Sequence, residues 1–128
     1  MLIAGLILAA LAGAFHVYIF VLESLRWTQP ATRRIFGVRS AADADTTRQL
    51  AYNQGFYNLF LAIAAFTGVG LVAAGQPVAG VTLVLAATGM MAGAALVLVL
   101  SDHTKRRAAL LQGGLPLLAI VALVVAVV

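Results

Sequence analysis

The sequence predicts an all-α integral membrane protein, a polytopic four-helix bundle, and three observations carry that expectation. Mean hydropathy is +1.07. Only 9% of the 128 residues are charged. The charges all lie in two short stretches, Glu23 to Arg48 and Asp102 to Arg107. A soluble domain keeps about a quarter of its residues charged and spreads them over its surface, so the composition excludes that class. The chain has no cysteine, which excludes disulfides, thiolate nucleophiles and cysteine-ligated metals. The formal charge of +4 comes from basic residues that flank apolar spans and form no groove patch. It therefore speaks to topology, and no nucleic-acid partner is expected.

A helix needs about 20 residues to cross the ~30 Å hydrocarbon layer. Four stretches qualify, at 2–25, 50–74, 78–100 and 109–128, within one transmembrane domain spanning 1–128. The first reads as a retained helix and not a leader: it lacks a basic n-region and carries His16, with Glu23 just beyond. The connection 26–49 holds Arg26, Arg33, Arg34, Arg39 and Arg48, and "SDHTKRRAA" holds Lys105, Arg106 and Arg107. The middle turn, "AAGQP", holds no charge at all. Alternating helices put the first and third connections on one side, which the positive-inside rule makes cytoplasmic, so both termini are expected to be extracytoplasmic.

Within 26–49, Pro30, Ile35 and Phe36 lie amid arginines, a composition suited to a short amphipathic piece at the headgroup level. Asp43, Asp45 and Thr46 are residue types that begin helices, so the second helix is expected to start as early as residue 44. Small residues at Gly5, Ala9 and Gly13 in the first span, and at Gly80, Gly89 and Gly93 in the third, offer faces for close backbone packing. In the fourth span, Gly113, Gly114 and Pro116 suggest a kink or a late start.

The second span opens with "AYNQGFYN", residues 51–58. At 100° per residue, Asn53, Gln54, Tyr57 and Asn58 form one polar arc about 140° wide. Unpartnered amides in hydrocarbon cost several kcal/mol, so the arc is expected to face the bundle interior or a wet cavity. In the first span, His16 and Glu23 are seven residues apart, hence nearly in line and about 10.5 Å apart in height. Counting inward from Trp27, Glu23 falls level with Tyr52 and Asn53, and His16 near Asn58. Asp102 and His103 arrive at the same side as a candidate rim. Glu23 and His16 are thus the candidate catalytic residues, with Asn53, Gln54, Tyr57, Asn58, Trp27 and Tyr52 as candidate substrate-binding residues.

Each of these has a plainer use. Glu23 can snorkel towards Arg26 or Arg48, the amides can hold helices together, and Trp27, Tyr52 and Tyr57 suit an interfacial belt. Asp102 can pair with Lys105 or Arg106. The histidines form no HxxH, HxxxH or ExxH pair, so neither a metal nor another cofactor is expected.

The combination of His16, Glu23 and Trp27, then "RRIFG", then "YNQGFYN", resembles a family of small four-helix bacterial integral membrane proteins catalogued only as a domain of unknown function. The likeness covers nearly the whole chain. It implies the four-span architecture and a bacterial inner (cytoplasmic) membrane location, and it brings no activity, cofactor or catalytic assignment. A looser architectural comparison is with small multidrug-resistance transporters, which carry a carboxylate in their first helix. Glu23, however, sits near the cytoplasmic end of its span, and the one-sided basic residues argue against the antiparallel dual topology of some of those transporters, which leaves a parallel homodimer open.

Three functions compete. A carboxylate and an imidazole flanked by amides suit acid–base chemistry on a lipophilic small molecule in the cytoplasmic leaflet, similar in residue types alone to sterol-isomerase-type sites. A transporter or binding protein for amphipathic or cationic molecules would use Glu23 as a charge partner. The third reading is a structural or accessory membrane protein whose polar cluster sets helix register.

Overall fold

A computed structural model describes residues 1–128, apart from the side chain of Val127. The described chain is helical almost throughout: α1 (Leu2–Phe20), a π-helical turn (Val21–Leu25), α2 (Pro30–Phe36), α3 (Ala41–Ala73), α4 (Pro77–Ser101), a 3-10 turn (His103–Lys105) and α5 (Arg106–Val127). Four helical segments are long and apolar enough to cross a membrane: Leu2–Leu25, Ala41–Ala73, Pro77–Ser101 and His103–Ala126. The protein is a polytopic helical membrane bundle.

The segment 26–49 is more ordered than a loop, because local chemistry closes two helices inside it. Pro30 opens α2, where a missing N–H costs nothing. Gly37 ends it in the left-handed conformation (φ 70°), its N–H donating to the Arg34 carbonyl and that of Val38 to the Arg33 carbonyl. Ser40 then accepts from the Asp43 N–H at 3.0 Å and caps α3. The helix accordingly begins at Ala41, ahead of the expected residue 44, because the cap is Ser40 and the aspartates lie inside the helix. At 33 residues, α3 is about 50 Å long. That exceeds the hydrocarbon thickness, and the excess falls at the end carrying Asp43, Asp45 and Arg48.

The α3–α4 turn repeats the same device. Gly75 (φ 80°) donates to Val72, Gln76 donates to Leu71, and Pro77 opens α4. The helix α5 starts at Arg106, before the expected residue 109, and runs through a buried Pro116.

Two compact units divide the chain. The first comprises Met1–Phe15 and Leu61–Val128. Its core is built from small residues, one cluster being Ala9, Val84, Ala119 and Leu123 and another Ala12, Ala65, Ala87 and Met91. Association in lipid is driven by such van der Waals contact rather than by water. Gly5 lies against Leu123 and Gly13 against the Phe66 ring, while Gly68 and Gly80 bring the α3 and α4 backbones together. A Cβ on Gly89 or Gly93 would meet nothing within 4 Å beyond its own helix, so among the described residues the "GMMAG" pair closes no contact. Thr82 and Thr88 satisfy their hydroxyls on the carbonyls four residues back.

The second unit is His16–Phe60. It contains the end of α1, the π-helical turn, α2 and the first twenty residues of α3.

Candidate functional site

Within the second unit, Glu23 is buried, 9% exposed, in the π-helical turn. A π-turn inserts one residue per turn relative to an α-helix and recurs at functional sites. Here it lets Leu22 and Glu23 both lie on the buried side. Asn58 Nδ2 donates to Glu23 Oε2 at 2.8 Å, and also to the Gln54 carbonyl at 3.1 Å. Asn58 is itself 3% exposed, so the amide and the carboxylate meet out of contact with lipid.

What lets them meet is Gly55. A Cβ there would collide with Ser24 Oγ and lie 3.1 Å from Glu23 Cβ. Ser24 Oγ donates to the Tyr52 carbonyl at 2.8 Å, tying the π-turn to α3 nearly two turns before Asn58. The register therefore differs from the expected one. The Glu23 backbone is level with Gly55, and its carboxylate reaches Asn58, where His16 was expected.

The polar arc is split. Ala51, Gly55 and Asn58 form the buried face of α3, and Asn58 is the edge of the arc that falls on it. Asn53, Gln54 and Tyr57 are exposed, Tyr57 by 63%. They line an open groove of about 500 Å³ together with Trp27, Thr47, Leu50 and Ala51. Four expected substrate-binding residues, Trp27, Asn53, Gln54 and Tyr57, thus share one surface. Tyr52 lies on the other flank of the helix, where its ring meets Phe56 at 5.0 Å, and Phe56 in turn meets Phe20 at 5.1 Å and Phe60 at 6.2 Å between ring centroids.

Trp27 does more than mark an interface. Its Nε1 donates to the Ala44 carbonyl and to Thr47 Oγ1, each at 3.1 Å, and its ring packs on Phe36 at 5.2 Å. One side chain thereby fixes α2 and the first turns of α3 around the groove wall. Thr47 and Ser40, both part of this arrangement, were not singled out from the sequence. The Ser40-x-x-Asp43 spacing is the signal that identifies the cap.

His16 is fully buried on the face of α1 that also carries Ala12 and Ile19. Asp102 and His103 belong to the first unit. There Asp102 Oδ1 accepts from the Thr104 hydroxyl at 2.6 Å and the Thr104 N–H at 2.9 Å, capping the 3-10 turn. Those bonds, the hydroxyl first, hold the Asp102 carboxyl below the usual carboxylate range. His103 is exposed. Among the described residues no three metal-ligating side chains come together.

Neither the curated proteins nor the solved structures contain a match to the chain. Residues 10–124 match the family described as "Protein of unknown function (DUF1304)", a stretch that takes in the π-turn, the groove and at least part of each of the four spans, and the chain belongs to that family.

Proposed function

We propose that the protein is a membrane-embedded binding protein for an amphipathic small molecule, which lies in the groove of Trp27, Leu50, Asn53, Gln54 and Tyr57. What supports this reading is that two exposed amides, the exposed Tyr57 ring and the half-buried Trp27 ring share one open surface. Amides left to hydrocarbon are unfavourable, and an occupant with its own hydrogen-bonding head satisfies them while its apolar body covers Trp27, Leu50 and Tyr57. Glu23 and Asn58 lie on the adjacent, buried face, and in this reading they hold α3 in register behind the groove.

We further place the arginine-bearing segment 26–49 and Lys105–Arg107 on the cytoplasmic side of a bacterial inner membrane, with extracytoplasmic termini. The eight-to-none split of basic residues between connections supports that orientation. It also favours parallel over antiparallel association of any homodimer, and nothing in the charge pattern suits nucleic acid.

The test uses Trp27, the chain's single tryptophan. Purified protein is titrated with neutral and cationic amphiphiles of one chain length while Trp27 emission is followed. Saturable binding that weakens about tenfold in Asn53→Leu or Gln54→Leu is expected. Featureless partitioning, identical in wild type and variants, would overturn the reading.

A second reading, acid–base chemistry on a lipophilic molecule by Glu23 with His16, is favoured by one observation: a buried carboxylate placed on a π-turn. The Glu23→Gln variant separates the two. It preserves an acceptor for Asn58, so groove binding survives it, whereas proton transfer does not.

A further inference from the structure

Residues 24–42 contain four arginines, Arg26, Arg33, Arg34 and Arg39, and no acidic residue. Glu23, the nearest carboxylate on the preceding side, is buried against Asn58. The helix α2 sits in the middle of this stretch and has two distinct faces. Thr32 is buried and Phe36 packs on Trp27, whereas Ala31, Arg34 and Ile35 are exposed, Ile35 by 57%. Four residues, 26–29, connect α2 to the end of a membrane span at Leu25. At most about 3.6 Å per step, the five steps from Leu25 to Pro30 keep the start of α2 within roughly 18 Å of the span's end. The headgroup layer occupies this depth. Opened by Pro30, capped at its C-terminus by Gly37 and pinned through Trp27, α2 is a fixed platform there, with exposed Leu25 and Ile35 as apolar contacts and arginines beside them.

Arg33 supplies an independent observation. Its Nε is buried and has no hydrogen-bond partner among the described residues. Guanidinium groups are donors only and remain charged in proteins, so what this one lacks is an anionic acceptor. No acidic side chain in the segment provides it. A phosphodiester at headgroup depth does, reaching the guanidinium of this half-buried residue through its Nη groups, since Nε itself is closed to the outside.

We infer that α2 and its flanks form a binding site for an anionic phospholipid, with Arg33 engaging the phosphate, Arg34 and Arg26 adding charge, and Ile35 and Leu25 resting on the acyl chains. The site borders the amphiphile groove at Trp27, but it is built from other residues and stands without the groove's being occupied. Trp27, packed on α2, reports on its occupancy.

The experiment places the full chain in nanodiscs of mixed phosphatidylcholine and phosphatidylglycerol, with bromine on the acyl chains of one lipid at a time. Trp27 quenching then gives the relative affinity of the two lipids at equal mole fraction. A preference for phosphatidylglycerol of about fivefold or more is expected, falling in high salt. It should drop towards unity in Arg33→Gln, with circular dichroism showing the helices intact. Should Arg33→Gln fail to fold, the exposed Arg34→Gln, which touches no core, carries the same expectation in weaker form. Equal quenching by both lipids in the wild type overturns the inference, as does a preference untouched by either variant. Soluble glycerol phosphate at millimolar concentration should leave the preference unchanged; if it abolishes the preference, the site belongs to a free phosphate and the lipid assignment is wrong.

Discussion

Asn58 and Glu23, 35 residues apart in the chain, meet through a 2.8 Å hydrogen bond in which the amide donates to the carboxylate. Both are buried, so neither water nor lipid substitutes for the missing partner when one is removed. Asn58→Leu should therefore destabilise the protein by about 1–3 kcal/mol, read as a lowered midpoint of thermal unfolding in detergent. Glu23→Gln keeps an acceptor and should cost less. The double variant Glu23→Leu/Asn58→Leu should lose less than the two single leucine variants added together, the signature of a coupled pair. Strict additivity would show that the two side chains act independently.

The glycines separate into those a methyl group cannot enter and those it can. A Cβ on Gly68 would lie 2.8 Å from the Gly80 carbonyl oxygen, and one on Gly80 would lie 2.6 Å from that of Gly68. Both obstacles are backbone and cannot rotate away. Gly68→Ala and Gly80→Ala should each cost on the order of 1–3 kcal/mol. Gly89→Ala meets nothing within 4 Å and should be neutral or slightly stabilising, since alanine favours helix over glycine. Unfolding midpoints of the three variants check the contrast, and a Gly89→Ala loss as large as that of Gly68→Ala would contradict it.

The spans were legible because crossing a membrane demands length and apolarity, properties a linear sequence displays directly. The polar set around "AYNQGFYN" was legible too, since 100° steps show that Asn53, Gln54, Tyr57 and Asn58 are neighbours. Which edge of that arc turns inward was not. That choice depends on Gly55, whose missing side chain admits Ser24 and Glu23, and on the π-turn at Val21–Leu25, which no periodic pattern announces. At a uniform α-helical rise from Trp27, Glu23 falls level with Tyr52 and Asn53, whereas the side chain of the polar arc that it meets is Asn58. The early start of α3 is written in Ser40, whose hydroxyl caps it, and not in the aspartates and Thr46, which lie inside the helix.

Trp27 Nε1 serves two acceptors at once, the Ala44 carbonyl and Thr47 Oγ1. Replacing it by Phe keeps the packing on Phe36 and removes both bonds. Hydrogen exchange at the amides of residues 41–50 should then accelerate by roughly tenfold, the equivalent of about 1.4 kcal/mol, while amides deep in α4 are unaffected. Thr47→Val, which leaves the Ala44 carbonyl in place, should give a smaller acceleration of the same amides. Unchanged exchange in Trp27→Phe would mean that α3 holds its first turns without the tryptophan.

Asp102 provides the pH-dependent expectation. Its carboxylate accepts from the Thr104 hydroxyl and N–H, which favour the charged form and lower its pKa in the folded protein. A carboxylate whose folded value lies below its unfolded value stabilises the fold above the unfolded value. That contribution fades as pH falls through the interval between the two, when protonation removes the acceptor. The 3-10 turn His103–Lys105 should therefore loosen in acid before the buried helices respond. A carbon-13 titration of the Asp102 carboxyl should show the lowered midpoint. Thr104→Val, which keeps the backbone donor but deletes the hydroxyl, should move that midpoint back towards the ordinary aspartate value. If Thr104→Val leaves the titration unchanged, the hydroxyl is not the group that holds the charge.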